Sequence, residues 1–273
     1  MHPFPLLIGG CPRSGTTALL QVLNSNPSCY ISSEENIPKV LGTLSKVLGT
    51  QEHRNEVISH KGMRVLSLRE SLNEKNINRH NFSQVSMWPT LRFIYQSHHE
   101  QLSPGVPLVL WGDKFPNYYK NIDVVMAVSG IKYLHITRNP LDVVNSIMRR
   151  CEMTRQGKDW WKAMTVFEEM ISAWSDAYQT IQQIEGRPEV FHLHYEELVF
   201  DFHGSVARIN GFLGADLAYE NMLVSDPTKH YDRSFLSKEI TSQILSHAVV
   251  RTYMENIKNN PFVSSAFENR ELL

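Results

Sequence analysis

Residues 6–20 read LLIGGCPRSGTTALL, and this stretch decides the fold. A short apolar run that passes through glycines into a helix rich in Ser and Thr is typical of a strand–loop–helix that binds phosphate. Gly10 and Gly15 have the spacing of the two fixed glycines in such a loop, but Thr16 stands where the loop carries lysine. That lysine reaches the β- and γ-phosphates of a nucleoside triphosphate, so its absence argues against ATP or GTP chemistry. The stretch instead predicts a site for a smaller anion, formed by backbone N–H groups and Arg13. A turn that binds nothing is the alternative.

Length and composition exclude several classes of protein. The chain has 273 residues, 42% of them hydrophobic, and a net charge of −1. The length allows one large domain or two small ones. Because no repeat, low-complexity tract or clear linker divides the sequence, a single domain over residues 1–273 is expected. The net charge gives no reason to expect nucleic acid or an anionic membrane as a partner. Three widely spaced cysteines match neither a disulfide framework nor a zinc site, which favours a reduced, cytoplasmic setting. No apolar run approaches the roughly 20 residues of a membrane-spanning helix, and no signal peptide is expected before the first strand.

Apolar runs alternate with helical patterns, which predicts an α/β fold with a parallel sheet. A helix is expected over residues 16–24, followed by a strand at 30–32 that should lie beside the first strand. Residues from about 38 to 105 are interpreted as a mostly helical insertion that covers the acceptor site. The further predicted strands are 107–111, 132–137 and 189–195, and the further predicted helices are 118–128, 159–185, 206–214 and 237–258.

Polar side chains follow the predicted strands, at the edge where open α/β sheets place functional groups. Glu34 and Glu35 follow the second strand, and one of them is a candidate general base. The sequence GDKFP at residues 112–116 follows the next strand. A loop is expected over residues 225–235, where Lys229 and Arg233 could cover a bound anion.

The sequence RNPLDVVNS at residues 138–146 predicts a second anion site, distinct from the first. Arg138 ends a strand beside a helix that Asn139 should cap, with proline at the first helical position. Ser146 and Arg150 are four residues apart and therefore share one face of this helix. Two arginines around one hydroxyl are suited to an anionic group.

The motifs PRSGTT, GDKFP and RNPLDVVNS, in this order, resemble those of the sulfotransferases, which use 3′-phosphoadenosine 5′-phosphosulfate (PAPS). The resemblance is strongest to bacterial and protein-tyrosine sulfotransferases, and it covers residues 6–36 and 108–214. It implies a parallel sheet, similar to that of phosphate-loop proteins, flanked by helices and binding the nucleotide at its carboxyl edge. It also implies adenosine 3′,5′-bisphosphate (PAP) as the product and no metal.

The resemblance also implies roles for individual residues. It assigns Glu34, Lys114 and Arg13 to catalysis, with Glu34 as the base and Lys114 beside the sulfuryl group or the leaving phosphate. The neighbouring Glu35 leaves the assignment of the base open by one residue. The implied donor-binding residues are Arg13, Ser14, Gly15, Thr16 and Thr17 at the 5′-phosphate, Arg138, Ser146 and Arg150 at the 3′-phosphate, and Tyr195 near the nucleotide.

The expected reaction is transfer of a sulfuryl group by in-line attack of a hydroxyl or amine, which requires positioning and charge stabilisation more than covalent catalysis. A small metabolite is the first choice of acceptor, and a peptide tyrosine is the second. Two alternatives from other classes are an ATP-dependent phosphate-loop kinase and a binding protein that keeps the nucleotide site without catalysis. A homodimer is left open.

Overall fold

A computed structural model describes residues 5–35, 37, 87–126, 130–156, 166–223 and 233–268. Within these residues, five parallel strands form one sheet in the order β2-β3-β1-β4-β5. The strands are β1 (Leu6–Gly9), β2 (Cys29–Ser33), β3 (Leu110–Lys114), β4 (Lys132–Thr137) and β5 (Val190–His194).

Helices fill the connections between the strands. After β1 comes α1 (Thr16–Asn24), and α2 (Met87–Leu102) precedes β3. A 3₁₀ helix (Pro116–Asn121) leads from β3 into α3 (Ile122–Met126). The remaining helices are α4 (Pro140–Arg155), α5 (Phe167–Ile184), α6 (Tyr195–Phe200), α7 (Phe202–Leu213), α8 (Lys238–Ser246), α9 (Ala248–Ile257) and α10 (Pro261–Glu268). None of the helices in the described ranges is both long and apolar enough to cross a membrane.

Both faces of the sheet are buried, as parallel sheets require. Successive residues of β1 point to opposite faces. Leu7 packs with Tyr133 in the core that contains α4, α5 and α9. Leu6 and Ile8 pack with Leu134 in the core that contains α1 and α7. Packing on both faces therefore holds the strands in place, and because the strands are parallel, their carboxyl ends form one edge of the sheet.

The sequence predicts β2 beside β1, and this prediction is wrong. β3 lies between them, pairing with β1 through Ile8 and Lys114 and with β2 through Ser33 and Lys114. The long connection from β2 to β3 allows β3 to insert, which local sequence patterns do not reveal. Because all five strands are parallel, the residues after β2 still reach the same edge as the loop after β1.

Two predicted elements have different bounds in the structure. Pairing of β3 continues through Lys114, so Asp113 and Lys114 belong to the strand instead of following it. The closing helix predicted over 237–258 is broken at His247, which has an extended backbone and separates α8 from α9. Several predicted segments lie outside the described residues: 38–86 of the insertion, 127–128 and 159–165 of two helices, and 225–232 of the loop, including Lys229.

Candidate active site

The loop between β1 and α1 has the backbone geometry of an anion nest. Arg13 and Gly15 adopt left-handed φ values of 74° and 101°, which turn successive N–H groups toward one side. Gly15 is required for a second reason, since a Cβ there would lie 2.3 Å from the ring of Tyr195. Ser14 Oγ is fully buried and has no hydrogen-bond partner among the described residues. An oxyanion in the loop would provide the missing partner.

The turn from β4 into α4 carries Arg138. Its guanidinium lies 4.5 Å from the ring centroid of Tyr195, in cation–π geometry. Its backbone carbonyl accepts a hydrogen bond from Trp174 Nε1 at 2.8 Å. The side chain of Asn139 caps α4 by accepting from Leu141 N at 2.9 Å, as the sequence predicts. Arg138 Nε is buried and lacks a hydrogen-bond partner in the described part of the chain, so it too fits an anionic ligand.

The elements that carry the two predicted anion sites are in direct contact. Arg13 Nε donates to Ser146 Oγ at 3.0 Å, which joins the β1–α1 loop to the face of α4. Arg150 lies one turn further along α4 and is half-buried. At the start of α1, Thr16 is buried and Thr17 is exposed. The hydrogen bond between Arg13 and Ser146 therefore brings the β1–α1 loop into contact with α4.

Glu34 and Lys114 form an ion pair at the same edge of the sheet. Lys114 Nζ donates to Glu34 Oε1 at 2.9 Å, and Glu34 N donates to the Lys114 carbonyl at 2.7 Å. The segment after Lys114 is bound to the β1–α1 loop, because Gly10 N donates to the Pro116 carbonyl at 3.1 Å. The backbone N–H of Glu35 donates to Asp113 instead. The side chain of Glu34 therefore contacts Lys114, whereas the backbone of Glu35 contacts Asp113.

Sequence reasoning missed Glu196. Its Oε1 accepts from Asn139 N at 2.8 Å, which ties α6 to the turn that carries Arg138. Burial raises the pKa of this carboxyl to about 7, and Oε2 has no partner among the described residues. The only sequence signal is its position directly after Tyr195, which itself stacks on Arg138.

Arg233, which the sequence analysis suggested could cover a bound anion, pairs with a carboxylate in the structure. Its guanidinium binds the carboxylate of Asp142 through two hydrogen bonds, of 2.8 and 3.3 Å. Both side chains are buried, so the charge of Arg233 is engaged by α4. These two hydrogen bonds anchor the chain at Arg233 to the helix that carries Ser146.

A profile of the sulfotransferase family matches residues 5–220. The chain belongs to the sulfotransferase family. Human Sulfotransferase 2B1 is 33% identical over 98 residues, which make up 34% of this chain and 27% of that protein. The match therefore spans about a quarter of the length of this curated relative.

Solved structures of sulfotransferases are similar to this chain. The sulfotransferase domain of the Synechococcus PCC 7002 olefin synthase superposes with a TM-score of 0.52 and 18% identity, covering 92% of this chain and 94% of that one. Mouse sulfotransferase SULT7A1, solved in complex with PAP, gives a TM-score of 0.49 and 13% identity over 98% of this chain and 89% of its own. The first likeness confirms the predicted parallel sheet flanked by helices.

The fold thus brings most of the predicted site residues to one sheet edge. The loop after β1 contacts Tyr195 and Ser146, and Tyr195 contacts Arg138. Lys114 ends β3, the strand next to β1, and Glu34 follows β2, the strand beyond β3. Among the described residues, no group of three or more His, Cys, Asp or Glu side chains could hold a metal ion.

Proposed function

We propose that this sulfotransferase transfers a sulfuryl group from PAPS to a hydroxyl or amine of a small metabolite. The observation that carries the proposal is the Glu34–Lys114 ion pair, which lies at the same sheet edge as an anion loop without the triphosphate-binding lysine. When a hydroxyl or amine attacks sulfur, it needs a proton acceptor and a nearby cation to stabilise the developing charge. Glu34 and Lys114 are groups of these two kinds.

The residues around the edge fit a ligand with two separate anionic groups. Buried Ser14 Oγ and the nest of loop N–H groups would hold the 5′-phosphate side, together with Thr16 and Thr17. Arg138, with its unpaired buried Nε, would hold the 3′-phosphate with Ser146 and Arg150. Tyr195 lies between the two sets of donor-binding residues, because its ring packs against Gly15 and stacks on Arg138. Bound PAPS would supply the sulfuryl group, with PAP as the product.

Glu34 is the general base in this proposal. Its side chain is 58% exposed, so an acceptor hydroxyl or amine can reach the carboxylate. Lys114 is 3% exposed and orients the carboxylate through the 2.9 Å hydrogen bond. Its ammonium group also stands where it can stabilise the negative charge that develops on the leaving side, and Arg13 would assist from the loop.

The acceptor is proposed as a small metabolite, with a peptide tyrosine as the second choice. The three cysteines are buried thiols, which agrees with a reducing, cytoplasmic compartment. One sulfotransferase domain over residues 1–273 is part of the same proposal.

Ligand-dependent thermal stability tests the donor. PAP should raise the melting temperature, since a ligand at 100 times its Kd adds about 2.7 kcal/mol to the free energy of unfolding. ATP with magnesium should have little effect, because Thr16 replaces the triphosphate lysine. Stabilisation by ATP–magnesium and none by PAP would overturn the proposal and favour the kinase alternative.

A further inference from the structure

We propose that Asp113 is a positioning residue for the general base. It accepts a hydrogen bond from the backbone N–H of Glu35 and thereby holds Glu34 in the conformation that directs its carboxylate to Lys114. This inference rests on the proposed function, because it needs Glu34 to be the base.

Asp113 lies in β3 and is completely buried, yet its carboxyl group is surrounded by donors. Oδ1 accepts from Glu35 N at 3.0 Å and from Ser32 Oγ at 2.9 Å. The hydroxyl of Tyr118 donates to Oδ2. A buried carboxyl is costly unless it is hydrogen-bonded, so these donors explain how Asp113 is tolerated in the middle of the sheet.

Glu34 has a backbone conformation that needs support from both sides. Its φ is 71°, in the left-handed region that side chains other than glycine seldom adopt. Such conformations persist where the surroundings fix them, and they cluster at functional sites. On the N-terminal side, the backbone N–H of Glu34 donates a hydrogen bond to the Lys114 carbonyl at 2.7 Å. After Glu34, the next N–H is held by Asp113 at 3.0 Å.

Two consecutive residues of β3 therefore fix the base from both directions. Lys114 holds the backbone and the side chain of Glu34, and Asp113 holds the peptide that follows. Without Asp113, the Glu35 N–H would lose its acceptor. Glu34 could then relax to a negative φ, which would carry its carboxylate away from Lys114.

The same carboxyl group connects the base to neighbouring elements. Tyr118 OH accepts from Ile37 N at 3.3 Å, so a second N–H after Glu34 reaches Asp113 through one hydroxyl. Ser32 has a single hydroxyl hydrogen, which it donates to Asp113, so Tyr95 must donate in the 2.5 Å contact between Ser32 and Tyr95. Tyr95 belongs to α2, and the base is therefore tied to this helix.

The test is a double-mutant cycle between Asp113→Ala and Glu34→Gln, with the turnover number and the Kd for PAP measured for each protein. Asp113→Ala alone should lower kcat by about 10²-fold, the size of effect that a 1 Å misplacement can cause. Its Kd for PAP should change by less than about twofold, since Asp113 acts on the base and not on the donor site. In the Glu34→Gln background, the same substitution should lower kcat by no more than about twofold.

Asp113→Asn provides a conservative variant that keeps an oxygen for the Glu35 N–H. Its kcat should lie between those of wild type and Asp113→Ala, and it replaces Asp113→Ala in the cycle if the alanine variant does not fold. The matched control is Asp123→Asn, because Asp123 is an exposed carboxylate of α3. Its kcat should equal that of wild type.

The outcomes separate this inference from the proposed function. If Glu34→Gln is slow but Asp113 substitutions lower kcat equally in both backgrounds, the positioning role is overturned and the base assignment stands. If Glu34→Gln turns over as fast as wild type, both are overturned.

Discussion

Lys114 Nζ lies 2.9 Å from Glu34 Oε1, and the two side chains differ widely in exposure, at 3% and 58%. The carboxylate is open to an acceptor, whereas the ammonium group lies beneath it in the edge of the sheet. Charges interact more strongly where water is excluded, so Lys114 acts on any anionic group at this edge with little screening. In the proposed reaction, this arrangement would let one pair serve both proton removal and charge stabilisation.

Replacement of Lys114 by methionine should reduce turnover more than donor binding. A group that stabilises charge only in the transition state typically contributes about 10²–10³-fold to kcat. Steady-state kinetics should show this loss, while the Kd for PAP changes little. Lys120→Met, on the exposed side of the 3₁₀ helix, is the control and should behave like wild type. A loss confined to PAP affinity would reassign Lys114 to donor binding.

Substitution of Arg138 by alanine should weaken PAP binding severely and leave the fold intact. Loss of one partner from a buried, charged hydrogen-bonded pair usually costs about 2–5 kcal/mol of binding free energy. Isothermal titration calorimetry with PAP measures the effect directly. Arg155→Ala, at the end of α4, is the control, because Arg155 is 67% exposed and pairs only loosely with Glu152, at 3.7 Å. Unchanged PAP affinity in Arg138→Ala would show that the 3′-phosphate assignment is wrong.

The buried pair of Asp142 and Arg233 should matter for stability. Their side chains are 5% and 6% exposed, so removal of one partner leaves an uncompensated buried charge. Arg233→Met should lower the free energy of unfolding by about 3–5 kcal/mol, measured by urea denaturation. The double variant with Asp142→Asn should lose less than the sum of the single losses. Strictly additive losses would mean that the two charges do not depend on each other.

The sulfotransferase should lose stability in mildly acidic solution. Burial lowers the pKa of His194 to about 3 and lowers the pKa of His135 well below its usual value. In the unfolded chain both imidazoles take up a proton near pH 6.5. Their contribution to stability is therefore complete above about pH 6.5 and is lost as the pH falls below it, by up to about 1.4 kcal/mol per group and pH unit. Glu196 offsets about one group's share of this loss, because its pKa, raised to about 7, lets the folded protein take up a proton before the unfolded chain does.

Denaturation at pH 7.5 and pH 5.5 checks this expectation. The charged or titratable groups that also influence His194 are His192, Glu197, Glu185 and Arg208. His135→Gln should reduce the difference in the free energy of unfolding between the two pH values, whereas His203→Gln, at an exposed position of α7, should not. Equal stability of the wild type at both pH values would contradict the prediction.

Local signals in the sequence were sufficient for the donor loop and the helix cap. The apolar run of β1, the glycines after it and the start of α1 at Thr16 are fixed by interactions within about 15 residues. The cap at Asn139 with Pro140 at the first helical position is equally local. The resemblance to sulfotransferases added the expected roles of Glu34 and Lys114, whereas the contact between their side chains is known only from the structure.

Features that depend on long-range packing could not be predicted. The insertion of β3 between β1 and β2 follows a connection of more than 70 residues, for which no periodic pattern specifies the strand order. Asp142 and Arg233 are 91 positions apart, and each looks like an ordinary surface charge in the sequence. The contacts of Asp113 could not be predicted without the pairing of β2 with β3. Ser32 in β2 and Glu35 after it donate to Asp113, as does Tyr118 after β3.

Transfer of label from PAPS is the most direct test of the central claim. A panel of hydroxyl and amine acceptors would be assayed at saturating donor with EDTA present, for wild type, Glu34→Gln and Glu35→Gln. We expect transfer by wild type and Glu35→Gln, and a kcat about 10²–10⁴-fold lower for Glu34→Gln. Equal rates for Glu34→Gln and wild type, or transfer that EDTA abolishes and magnesium restores, would contradict the account.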